Sequence, residues 1–161
     1  MRGVYAISDV TPGLMLAHRA MTQAEVVANI VADTPDTWDR ICVPAVCFTD
    51  HEIVRVGLLP AEVPHGVKAI VEEFSFRANG RPLTLDDAEG FARIVARESD
   101  HVILGVQATG PGRSELVPGF ALVLEAGLRL EDVAATFHAH PTVSEAFHEA
   151  ALLGVGMDNH G

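Results

Sequence analysis

The chain has 161 residues, 48% hydrophobic and 20% charged, which is the make-up of one globular domain and not of a disordered segment. Its 22 Asp and Glu outnumber its 11 Lys and Arg, for a formal net charge of −11. That balance argues against nucleic acid or an anionic membrane as partner, since nothing offsets their phosphates. No apolar run reaches ~18–20 residues, so no membrane-spanning helix is expected.

The start, MRGVYAISDV, lacks the layout of a secretory signal, and a cytoplasmic chain is expected. Val4-Tyr5-Ala6-Ile7 predicts a short strand, closed by the turn cluster Ser8-Asp9 and Thr11-Pro12-Gly13. Apolar residues then recur at three- and four-residue spacing, which predicts a helix over 14–32. It ends at Asp33-Thr34-Pro35-Asp36. This strand and helix are too small for a domain and read as the tail of a larger one.

Strands are predicted over 43–48, 52–58, 67–77, 91–97 and 102–108. Over 91–97 the alternation is clean: Phe91, Arg93, Val95 and Arg97 on one face, Ala92, Ile94 and Ala96 on the other. Only Glu98 to His101 separate that strand from the next, so the two should pair antiparallel. Residues 79–90 hold Asn-Gly, a proline and three acids, and read as an exposed excursion. Leu116, Phe120, Val123, Leu124 and Gly127 form a helical stripe with Pro118 near its start. A short helix begins at Leu130, another runs over 144–153, and the tail 154–161 should fray. Strands followed by helices predict an α+β fold: an antiparallel sheet with helices on one face.

The strongest local signal is Phe137-His138-Ala139-His140-Pro141-Thr142-Val143-Ser144-Glu145. The proline pushes His140 toward an extended conformation. A histidine on a rigid loop with a nearby carboxylate suits acid–base work, because the acid holds one ring nitrogen and frees the other. Glu145 fills that role if the chain turns back through Thr142. By spacing alone the stronger reading is a capping box, Thr142-x-x-Glu145, and one carboxylate can serve both. His138 and His140 also read as a metal pair, and with His148 and His160 as a weaker His-rich metal site, yet two ligands are too few for a structural zinc site, no cysteine lies nearby and no metal is expected.

The stretch from Ile103 to Leu152, ending in HAHPTVSE, resembles the C-terminal interface domain of the dihydrolipoamide dehydrogenases. These are flavin enzymes of the pyridine-nucleotide–disulfide oxidoreductase family. VPAVCFTDHEIVRVGL resembles the segment opening that domain. The early GVYAISD and PGLMLAH strings resemble the last flavin-binding strand and helix. The resemblance implies a remnant of the FAD-binding domain at 1–38 and a dimerisation domain at 39–161. It implies that His140 is the catalytic base and Glu145 its partner, with a cis peptide before Pro141. Asp9 would bind the ribityl chain of FAD, and Met15, Leu16, Ala17 and His18 would lie beside the flavin ring. A helix N-terminus offers free N–H groups and a positive dipole end to a reduced flavin. Taken without the resemblance, Asp9 reads equally as a turn or cap residue, and Met15 and Leu16 as core.

The resemblance further implies a homodimer, in which the histidine serves the redox disulfide of the other subunit. It also implies NAD in the full enzyme, and a 2-oxoacid dehydrogenase complex as partner. Cys42 and Cys47 have the spacing of the family's redox pair but lie in a strand-like run. Five residues of strand separate Cα atoms by ~16 Å, beyond the ~7 Å limit of a bridge, so they are read as small apolar residues. No Gly-x-Gly-x-x-Gly occurs, so neither dinucleotide fold is expected. The chain thus reads as a C-terminal portion whose N-terminal FAD/NAD part is missing, inactive alone. Ser8 stands where the family usually has glycine, which would crowd the flavin. The rival reading is a binding or scaffold protein derived from such an enzyme, with no redox role.

Overall fold

The computed structural model describes residues 3–157. Five strands form one antiparallel sheet: β1 (Ala45–Cys47), β2 (Glu52–Gly57), β3 (Ala69–Ser75), β4 (Phe91–Arg97) and β5 (Ile103–Gly110). Their spatial order is β1-β2-β5-β4-β3. Helices are α1 (Ala17–Val31), α2 (Gly80–Thr84), α3 (Val117–Glu125), α4 (Leu130–Ala134) and α5 (Glu145–Gly154). The α+β expectation holds, and each of the five strands lies within or beside its predicted span.

Register decides what the sheet buries. Val54 faces Ala108 and Val56 faces Val106 across β2 and β5, while Ile94 faces Val106 across β4 and β5. These side chains meet Phe120, Leu124, Leu130, Val133, Phe147 and Ala151 from α3, α4 and α5 in one core. Phe120 and Phe147 anchor it, with ring centroids 4.9 Å apart. Fully burying rings of that size is worth ~2–3 kcal/mol each. The opposite face carries the row Arg55, Gln107, Arg93 and Glu73, one from each of β2, β5, β4 and β3. Val95 lies on that face yet is fully buried. Leu58 crosses over Gly105, the ladder partner of Val95, where a Cβ would fall 2.0 Å from the Leu58 carbonyl oxygen.

Three expectations are corrected. Residues 4–7 form no strand, because no strand of the sheet lies beside them; a 3-10 turn, Ser8–Val10, follows. The 79–90 excursion is not wholly exposed. It contains α2, with Pro82 buried and Asn79 only 4% exposed. Of the tail expected to fray, Gly154 closes α5 against Leu130, and residues 158–161 lie outside the described residues. Helix α1 forms as predicted but buries only Arg19 and Val26. Val10, Leu14, Met15, Met21 and Val31 around it stay exposed.

Candidate functional site

The site is built on the first turn of α5. Ala146, Phe147, Ala150 and Ala151 bury one face of this helix, which fixes its start against the sheet. Glu145 is the first helical residue, so its carboxylate also sits at the positive dipole end. One oxygen accepts the Thr142 backbone N–H at 2.6 Å. The other lies 2.7 Å from His140 Nδ1. One oxygen thus meets the Thr142 N–H and the other the His140 ring, but the expected capping box is not formed: Ser144 stands before the helix and no side chain caps it. The Thr142 hydroxyl does not close the box; it donates to Ala139 O at 2.7 Å and meets Ser144 Oγ at 3.0 Å.

The two members differ in exposure. The His140 side chain is 78% exposed and that of Glu145 only 21%. With Nδ1 engaged, Nε2 is the nitrogen left for a reactant. Burial works against ionising Glu145, but the Thr142 N–H and the His140 ring outweigh it and hold the carboxyl below its usual range. The His140–Pro141 peptide is cis, as the resemblance implied. A cleft of about 210 Å³ opens beside the pair, lined also by Phe74, Asn79, Gly80 and Glu149. Asn79 accepts from Arg81 N at 3.2 Å to cap α2 and donates to Val143 O at 3.4 Å, tying the excursion to the histidine loop. Nothing in the sequence pattern marks Asn79 beyond its place before a glycine.

The residues expected at the flavin line a different cleft from the His140–Glu145 pair. Leu16, Ala17 and His18 line a groove of about 670 Å³ with Pro44, Val46 and Phe48. The His18 Nε2 is 2.8 Å from Pro44 O, pinning the start of α1 to the approach to β1. Met15 is 72% exposed and is not core. Asp9 is exposed and accepts from Ser8 Oγ at 2.8 Å. Ser8 has φ of 60°, a glycine-favouring conformation, which explains the family's glycine there. Arg19, missed in the sequence reading, organises this loop. It is 8% exposed and donates to Pro12 O at 2.6 Å, Leu14 O at 2.9 Å and Thr11 Oγ1 at 3.0 Å. An arginine in the first turn of a helix, against the dipole, was the available signal.

The cysteines are free. Cys42 packs against the core, and burial and Glu125 push its thiol up to about 11. Cys47 is exposed, which corrects its reading as an apolar filler. Among the described residues no three metal-ligating side chains gather, and His160 lies outside those residues.

The profile of the pyridine nucleotide-disulphide oxidoreductase dimerisation domain matches residues 43–151. The chain belongs to that family. It is 49% identical over 161 residues to the dihydrolipoyl dehydrogenase of Pseudomonas aeruginosa, covering 99% of this chain and 35% of that protein. The dihydrolipoyl dehydrogenase of Geobacillus stearothermophilus is 40% identical over 158 residues, covering 98% and 34%. LpdA from Mycobacterium tuberculosis superposes with a TM-score of 0.84 at 29% identity, over 92% of this chain and 33% of that one. The flavoprotein disulfide reductase RclA of Escherichia coli, at 22% identity and a TM-score of 0.85 over 92% of this chain and 35% of that one, shares the fold. The chain thus spans about a third of the length of its curated relatives, 35% and 34% in these two cases. Within this dimerisation-domain family, the HAHPTVSE string falls inside the matched region, and Asp9 to His18 fall before it.

Proposed function

We propose that this chain is the C-terminal part of a dihydrolipoyl dehydrogenase and gives the His140–Glu145 pair to the redox disulfide of a second subunit. The carrying observation is the exposed ring of His140 with Nδ1 held 2.7 Å from a mostly buried carboxylate. Glu145 keeps the proton on Nδ1, so Nε2 is free to accept one. His140 Nε2 takes the proton from a dihydrolipoamide thiol. The resulting thiolate is the species that attacks a disulfide. Glu145 then stabilises the imidazolium that forms.

Residues 1–38 belong in this reading to the FAD-binding domain, and 39–161 form the dimerisation domain. The exposed apolar residues around α1 support a larger partner there. No side chain caps the N-terminus of α1, so its first-turn N–H groups remain open, and Asp9 stands exposed nearby. These residues fit one part of a flavin: Asp9 to hold the ribityl chain, Met15, Leu16, Ala17 and His18 to border the ring. When bound, the flavin carries electrons between the disulfide and NAD. The protein acts as a homodimer in the cytoplasm, within a 2-oxoacid dehydrogenase complex. Among the described residues no helix is long and apolar enough to cross a membrane. The fully exposed Phe137 and exposed Leu122, beside an apolar cleft of about 400 Å³, support a subunit contact on this side.

The test joins this chain to the N-terminal two thirds of the Pseudomonas aeruginosa relative. Dihydrolipoamide-dependent NADH formation should need both parts and fall ~10²–10⁴-fold in His140→Gln. Full activity in that variant would remove the base. No activity with either version would favour a scaffold.

A further inference from the structure

Two histidines beside the proposed base form a pair of their own. The His138 and His148 rings stack with centroids 5.0 Å apart and planes 21° apart. His148 lies on α5, and its Nε2 donates to Ala134 O, at the end of α4, at 3.0 Å. That carbonyl holds the His148 proton on Nε2. His138 is half-buried at the edge of an apolar cleft with Phe120, Val133 and Phe147. Its Nδ1 lies 3.4 Å from Ser144 Oγ. Ser144 Oγ meets Thr142 Oγ1 at 3.0 Å, and the Thr142 N–H donates to Glu145, which holds His140. A continuous line of contacts runs from the stacked pair to the base.

The charges around the pair are few. From α5 come His148 itself and Glu145; Glu115, from the turn before α3, lines the far side of the cleft. From α4 the Ala134 carbonyl meets the pair. One proton on the pair has Glu145 nearby. A second would set two cations face to face beside an apolar wall.

We propose that His138 and His148 are positioning residues that hold the His140 loop in place while at most one of the two rings is protonated. The inference rests on the reading of His140 as the base. Burial first, and His148 second, hold His138 below the ordinary 6.5. A histidine depressed in the fold contributes stability when neutral, and that contribution is lost as pH falls toward its folded value. The loop therefore loosens on the acid side of neutrality.

The test is a nitrogen-15 NMR titration of the whole chain between about pH 8 and about pH 5. It is run in His140→Gln, so that the base's own titration is absent. The Thr142 amide is expected to shift at the His138 midpoint, which lies below that of an ordinary imidazole. In His148→Gln, whose amide can still donate to Ala134 O, that midpoint should move upward and the Thr142 response should shrink, because a second cation can no longer form. His138→Phe should abolish the Thr142 response. A Thr142 amide flat across the His138 titration overturns the proposal, as does a midpoint unmoved by His148→Gln. If His138→Phe fails to fold, those two traces decide. The readout needs no turnover, so failure of the joined enzyme would strike the base reading and leave this coupling standing.

Discussion

Glu145→Gln tests the central geometry without altering the size of the side chain. The glutamine oxygen can still accept the Thr142 N–H, but its amide nitrogen must then face His140 Nδ1. Two charge-assisted bonds become neutral, a loss of ~0.5–1 kcal/mol each, with the His140 bond at the low end because its ring is largely exposed. Removing an acid from the first turn of α5 adds ~0.5 kcal/mol. The total is about 2 kcal/mol near pH 7, or about 4–8 °C in Tm for a chain of this size. The sign with pH follows from the depressed carboxyl. Its folded value lies below the unfolded 4.5, so its contribution is complete above 4.5 and is lost as pH falls through the folded value. Urea melts of both proteins should show a gap at neutral pH that closes in acid solution below the ordinary carboxyl range. No gap at neutral pH, or a gap unchanged in acid, would show that the carboxylate does not hold these two donors. In the joined enzyme the same variant favours the ring tautomer with Nε2 protonated, so activity should fall even where the fold survives.

Asn79→Ala should cost ~1–2 kcal/mol in urea unfolding, since it removes the α2 cap and one of the two donors to Val143 O, which keeps the Ala146 N–H. A loss under ~0.5 kcal/mol would mean that α2 is not anchored through Asn79. Gly90→Ala should cost more than ~3 kcal/mol, because φ is +98° and the new Cβ would lie 1.9 Å from Thr109 O; a soluble variant of unchanged midpoint would refute that. The two thiols should react with a disulfide reagent in separate phases. Raising the Cys42 thiol from 9.0 to about 11 cuts its thiolate about 100-fold, while Cys47 is exposed. Cys47→Ser should remove the fast phase, and two equal fast thiols would count against the raised Cys42 thiol.

The sheet was legible because the period of two is a direct record of burial. Ala92, Ile94 and Ala96 alternate with Arg93 and Arg97, and the structure buries the first set. Val95 escaped that logic because the chain at Leu58 folds over the polar face, a long-range event with no local signature. The 4–7 strand failed for a related reason: the apolar run is genuine, but a strand needs a neighbour, and none of the five lies there. The His140–Glu145 pair was legible from spacing once Thr142 was seen as a turn. The roles of Asn79 and Arg19 were not, since both depend on which carbonyls the folded chain brings within reach. The sequence offers His148 only as a metal candidate; the approach of the 138–144 loop makes it a stacking partner.

The division of the pair between core and surface is what its proposed task requires. A base that serves another subunit must protrude, and a protruding histidine has no fixed ring orientation of its own. The orientation has to come from an atom that cannot move. Glu145 supplies it because it belongs to the first turn of a helix whose Ala146, Phe147 and Ala150 are locked in the core. The packing of Phe147 on Phe120 therefore reaches the chemistry through one residue of helix and one carboxylate. A substitution in that core should then lower turnover before it lowers binding. It displaces the nitrogen that takes the proton and leaves the exposed surface that meets the partner intact.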